Sequence, residues 1–144
     1  MYQLTKKRNV IWKFLGFLVV CSITIEVFKV ALSSAPINEQ IMETAKEINK
    51  HCPIMVDSST RFDNSIAAPN NTLQFNYTLI KNDRAEIDTA IFVKELHTSY
   101  VNSITTNPKF KSFKDKGISI SATFYDSSAK YVCNVFIDSK QLGQ

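Results

Sequence analysis

Residues Val10 to Leu32, VIWKFLGFLVVCSITIEVFKVAL, constrain this chain more than any other stretch. They follow a basic start, Lys6-Lys7-Arg8, and end just before Ser33-Ser34-Ala35-Pro36. The uncharged core, Phe14 to Ile25, is 12 residues long, as suits the apolar region of a signal peptide. A full span needs ~20 residues, which the extension to Leu32 supplies if Glu26 and Lys29 are tolerated. These two lie three apart near one end, where they can approach each other on one helical face. Cleavage signals are poor. Ala35 is followed by Pro36, an unfavourable protease substrate, and Ala31-Leu32-Ser33 fits a small-x-small pattern only somewhat better. We therefore read residues 10–32 as an uncleaved anchor in the lipid bilayer. The alternatives are a cleaved signal peptide, a lipid-modified Cys21 (with Val20 where a small residue is expected), and a buried soluble helix. Positive charge before the span places the N-terminus in the cytoplasm and the rest outside it.

The division is then residues 1–35, a basic start with a signal-anchor helix, and residues 36–144, a domain in the periplasm. About 109 residues are enough for one domain with its own core. The net charge of +4 is matched by Lys6, Lys7, Arg8 and Lys13 alone. The domain is close to neutral, so nucleic acid is an unexpected partner. With three Gly in the chain, Gly-rich phosphate loops are not expected.

Along the domain, Ile37, Ile41, Ala45 and Ile48 form one apolar helical stripe, closed at His51-Cys52-Pro53. Ile54-Met55-Val56 is short and extended, Asp57-Ser58-Ser59 has turn chemistry, and Arg61 to Ala67 is a candidate strand. Ala68-Pro69-Asn70-Asn71 is a turn. In Thr72 to Ile80, Leu73, Phe75, Tyr77 and Leu79 alternate with Gln74, Asn76 and Thr78, the signature of a half-buried strand. Arg84 to Thr105 is expected as one long helix, capped by Asn82 or Asp83. Its expected inward face is Ile87, Ala90, Val93 or the stem of Lys94, His97, Val101 and Ile104. A short helical turn carrying Phe110 and Phe113 follows Asn107-Pro108, with Gly117 as its stop. Ile118 to Phe124 and Tyr131 to Ile137 alternate as a hairpin. The expected fold class is α+β, a two-layer sandwich in the order α-β-β-α-β-β, with an antiparallel sheet covered by two helices.

Cys52 and Cys133 fall near the two ends of the domain. In an exported domain they are candidates for one disulfide, worth ~4 kcal/mol by chain entropy. The alternative is two buried free thiols. No pair has CxxC spacing, and with two His in the chain a metal cluster is not expected. No nucleophile, metalloprotease or nucleotide motif occurs, and no cofactor is implied. A Cys52–His97 nucleophile pair is the one catalytic alternative. The densest polar cluster is Asp57, Ser58, Thr60, Arg61 and Asp63. Arg61 offers a planar fork to a carboxylate or phosphate. The competing account is an Asp-led turn with Arg61 paired to Asp57 or Asp63. Asn70-Asn71-Thr72 and Asn76-Tyr77-Thr78 match the N-glycosylation pattern, which is silent in a bacterial envelope.

Asn49-Lys50-His51-Cys52-Pro53, Val56-Asp57, Thr60-Arg61-Phe62-Asp63 and Phe75-Asn76-Tyr77-Thr78-Leu79 carry a resemblance. Over roughly residues 38 to 138 the chain resembles small bacterial envelope proteins with an N-terminal apolar segment and an N-x-x-C-P-x-x-V-D-x-x-T-R-x-D pattern. That group has no assigned activity, so the resemblance implies fold and compartment only. The reading is a non-enzymatic interaction module, single-pass in the bacterial inner membrane, that binds another envelope protein. Asp57, Thr60, Arg61 and Asp63 are its candidate binding residues. The alternatives are a secreted small effector or inhibitor and a small envelope hydrolase using Cys52 and His97.

Overall fold

The computed structural model describes residues 35–105 and 110–142. The segment Val10 to Leu32, its basic flank and Cys21 lie outside the described residues. Among those described, no helix is long and apolar enough to cross a membrane. The architecture is α+β. Helix α1 (Ile37–Asn49) precedes strands β1 (Ile54–Met55), β2 (Thr60–Ala68) and β3 (Thr72–Leu79). A 3-10 turn (Arg84–Glu86), helix α2 (Thr89–Thr105) and a short helix α3 (Lys111–Asp115) then lead to β4 (Ser119–Asp126) and β5 (Tyr131–Ile137).

The five strands lie in one sheet, in the order β1-β2-β3-β4-β5. β1–β2, β2–β3 and β4–β5 are antiparallel, as hairpins and short turns dictate. The turn between β2 and β3 holds Asn70 at φ 59° and Asn71 at φ 54°. Asn tolerates this left-handed pair, whose twist matches that of a hairpin. The central pair, β3–β4, is parallel, Leu73 facing Ile120 and Tyr77 facing Phe124. This corrects the expected all-antiparallel sheet. A helical crossover brings the chain back to the end of the sheet where β3 began, so β4 must run alongside it in the same direction.

One face of the sheet carries the core. Phe62, Leu73, Phe75, Tyr77, Leu79, Ile120, Ala122, Phe124, Val135 and Ile137 point to it, and all are buried. α1 covers it with Ile41, Ala45 and Ile48, the stripe read from the sequence. An aromatic line crosses the layer. Phe62 and Tyr77 centroids lie 5.2 Å apart, Tyr77 stacks on Phe124 at 5.0 Å, and Phe92 of α2 meets Phe124 edge-on at 5.5 Å. Such pairs contribute beyond their buried area.

The expected single helix from Arg84 is two elements. Asp83 caps the 3-10 turn through Ala85 N–H, and Ile87 is extended. The carboxylate of Asp88 accepts from Ile91 N–H at 3.2 Å and starts α2 anew. The buried positions are Leu96 and Tyr100, with Phe92 partly buried against the core, while Ala90 is exposed and His97 only half-buried. Of the expected inward face, Ile87, Val93 and Val101 pack partly buried against the core, Ala90 and His97 do not lead it, and the side chain of Ile104 lies outside the described residues. Asp126 locks the crossover to the last hairpin. It is fully buried, and its carboxylate accepts from the backbone N–H of Lys130, Ser128 and Arg84 at 2.9, 2.8 and 3.0 Å. These donors, that of Lys130 foremost, hold its carboxyl below the usual range. Gly117, at φ +65°, takes the left-handed residue that ends α3.

Candidate functional site

The face of the sheet opposite the helices is built by the outward half of each alternation. Strand register arranges it in three rows. Met55, Arg61, Thr78, Tyr125 and Tyr131 are successive cross-strand partners. The next row is Asn64, Asn76, Thr123 and Asn134, and the third is Ile66, Gln74, Ser121 and Phe136. On the outward positions of β2 to β5 only Arg61 and Asp63 are charged. The amides and hydroxyls bond to one another. Asn76 Nδ2 donates to Asn64 Oδ1 at 2.7 Å, and Gln74 Nε2 donates to Asn76 Oδ1 at 2.8 Å. Asn134 Nδ2 donates to Ser121 Oγ at 2.7 Å and Thr123 Oγ1 at 2.8 Å. Around this polar centre stand four large exposed apolar side chains, Met55, Ile66, Tyr131 and Phe136, the last 50% exposed.

The four residues singled out from the sequence divide between two tasks. Asp57 builds the turn: its Oδ1 accepts from Ser59 N–H, Ser59 Oγ and Thr60 N–H at 2.6, 2.8 and 3.0 Å. Thr60 is buried, 2% exposed. Arg61 and Asp63 reach the open face. A β-bulge between Phe62 and Asn64 makes Asp63 an extra residue. Its carboxylate accepts from Arg61 Nε and, at 2.6 Å, from Thr78 Oγ1. The ion pair anchors one corner of the face and leaves the guanidinium side chain 43% exposed. Sequence reasoning missed Asn64, Asn76, Thr123 and Asn134 as a group. Their common signal was present: the outward positions of β3 to β5 carry Asn, Gln, Ser and Thr where Lys and Glu are usual, and of these Ser121 and Thr123 are themselves buried.

The expected Cys52–Cys133 disulfide is corrected by topology. Both thiols are free. Cys52 precedes β1 at one edge of the sheet, and Cys133 lies on β5 at the other, pairing with Phe124. Four strand spacings amount to about 19 Å, where a disulfide needs Cα atoms within about 7 Å. The same separation keeps Cys52 from His97, because α2 packs on β5. Burial, with the Asp63 carboxylate second, pushes the Cys52 thiol up, opposite to what a nucleophile needs. Burial pushes Cys133 up to about 11, against a smaller opposing effect of Arg84. Alkylation of the folded protein at mildly alkaline pH is expected to leave Cys133 unlabelled until denaturant is added. Peptide mapping of unreduced protein is expected to yield no linked pair, and recovery of a Cys52–Cys133 peptide would overturn the topology. Among the described residues no cluster of His, Cys, Asp and Glu could hold a metal ion.

Residues 36–133 match the model of a family described as "Domain of unknown function (DUF8479)". No curated protein matches the sequence significantly. Three solved structures share the fold. A candidate secreted protein from Pseudomonas aeruginosa aligns with a TM-score of 0.58 at 9% identity, covering 76% of this chain and 98% of that one. A pilotin of the Vibrio vulnificus type 2 secretion system aligns at 0.58 and 10% identity, covering 73% and 90%. A type II secretion system pilotin from Vibrio cholerae aligns at 0.52 and 13% identity, covering 73% and 91%.

Proposed function

The chain belongs to the DUF8479 family, and from its architecture we propose that it is a non-enzymatic binding module of the bacterial envelope. Residues 10–32 anchor it in the inner membrane, and residues 36–144 face the periplasm and bind another envelope protein through the open sheet face. The observation that carries this reading is the face itself. It has an uncharged, self-bonded polar centre, an apolar rim of Met55, Ile66, Tyr131 and Phe136, and no described element packed on it. Apolar contact area around satisfied polar groups is the make-up of a protein interface. The likeness to two secretion-system pilotins supports a partner-binding role in the envelope. Tethering raises the local concentration of the domain, so a modest contact suffices.

The test is site-specific photocrosslinking in intact membranes. A crosslinker at Gln74 or Asn76 is expected to capture a discrete envelope protein, and one at Met42, exposed on α1, is not. Arg61→Ala combined with Asp63→Ala is expected to lower the yield at Asn76. Equal capture from both faces, or none above background, would sink the reading. The mass of the purified N-terminus tests the anchor separately, because a chain beginning near Ser33 is a cleaved form.

A further inference from the structure

The two edges of the sheet are unlike. The β2 edge is closed twice. β1 pairs with Arg61 and Phe62, and further along the Asn49 side chain acts as a substitute strand. Asn49 Oδ1 accepts from Ser65 N–H at 2.7 Å, and Asn49 Nδ2 donates to Ser65 O at 2.8 Å. β5 is irregular only at its start, where Val132 is left out of the pairing with β4, and from Cys133 to Ile137 it has no such closure. Among the described residues its backbone hydrogen-bonds to β4 and to no further strand or side chain. Its sequence, Tyr-Val-Cys-Asn-Val-Phe-Ile, holds no charge, no Pro and no Gly. Natural edge strands are blunted by such residues, and a segment of this composition left open is a template for pairing.

We infer that β5 is the contact between two copies of this chain, paired antiparallel about a two-fold axis to join their sheets. The strand is complementary to itself. In a register centred on Val135, Cys133 faces the second copy's Ile137 on the core side, and Asn134 faces its Phe136 on the open side. Every pair keeps its face, and no like charges meet. The two Phe136 side chains become diagonal neighbours, within aromatic reach of each other. This covers an apolar side chain that a lone domain leaves 50% exposed. A heterologous strand would satisfy the backbone equally, but nothing on β5 selects one, whereas symmetry and lack of charge select a second copy. The contact takes up Phe136 at one end of the apolar rim and leaves the polar centre of the open face, with Met55 and Ile66, to the envelope partner.

The experiment is sedimentation velocity of the full chain in detergent over a range of concentrations. Wild type is expected to show a concentration-dependent dimer. Asn134→Lys sets two ammonium groups diagonally across the axis and is expected to weaken the dimer roughly tenfold or more. Phe136→Lys is the second variant, and it decides if Asn134→Lys changes the unfolding transition. Asn134→Thr is expected to keep the dimer. A chain that stays monomeric at every concentration overturns the inference. So does a dimer that survives both Lys variants, because another part of the chain then holds it. Loss of the photocrosslinked envelope partner leaves this result untouched.

Discussion

Phe124→Ala is expected to lower the free energy of unfolding by about 3–5 kcal/mol, the cost of removing a large aromatic side chain from a packed core. Phe124 is fully buried. It stands on β4, one of the central parallel pair, stacked on Tyr77 from β3 and met edge-on by Phe92 from α2. The cavity would thus sit where both antiparallel halves of the sheet and the crossover helix meet. Domains of this size are stable by about 5–15 kcal/mol, so the loss is a large share of the total and should lower the melting temperature by well over ten degrees. Denaturant titration of wild type and variant measures the difference. Met42→Ala, at a side chain 59% exposed on α1, is the control and should change stability by no more than about 0.5 kcal/mol. Equal effects at the two positions would show that the aromatic line is not the centre of the core.

Much of this fold was legible because burial on one face of a strand writes itself into alternate residues. Leu73, Phe75, Tyr77 and Leu79 announce β3, and Ile37, Ile41, Ala45 and Ile48 announce α1. The direction of β4 left no such mark. Alternation has the same period in parallel and antiparallel strands, and only the path of α2 and α3 makes the β3–β4 pair parallel. The break at Ile87-Asp88 leaves no mark in the sequence because Asp83 and Asp88 are both acceptable caps, and Leu96 and Tyr100 join the expected Val93 and Val101 on the inward side of α2. Pairing Cys52 with Cys133 rested on counting two thiols in one domain. Strand order decided the matter, since it sets them at opposite edges. The rows of the open face were hidden for a related reason. Asn64, Asn76, Thr123 and Asn134 are distant in sequence, and register alone sets them side by side.

Asn49→Ala is the second large effect expected, at about 2–4 kcal/mol. Ser65 is fully buried, and one side chain satisfies its N–H and C=O together. Ser65 Oγ also lies 3.2 Å from Asn49 Oδ1 and from Ala45 O. Alanine keeps the helical propensity of α1 but strands two buried backbone groups, each costing about 1–3 kcal/mol when unpaired. The penalty therefore comes from the strand edge, not from the helix. Asn49→Asp separates the two bonds. It keeps an acceptor for Ser65 N–H, loses the donor to Ser65 O, and should fall between wild type and alanine. Hydrogen exchange at the Ser65 amide gives the local readout: fast in Asn49→Ala, slow in wild type and Asn49→Asp. With this clamp gone the sheet has two open edges instead of one. Antiparallel pairing through β5 closes into a dimer, whereas pairing through both edges does not close and extends. Asn49→Ala should accordingly form large assemblies under conditions where wild type stops at two copies, and light scattering during the stability measurement would show it.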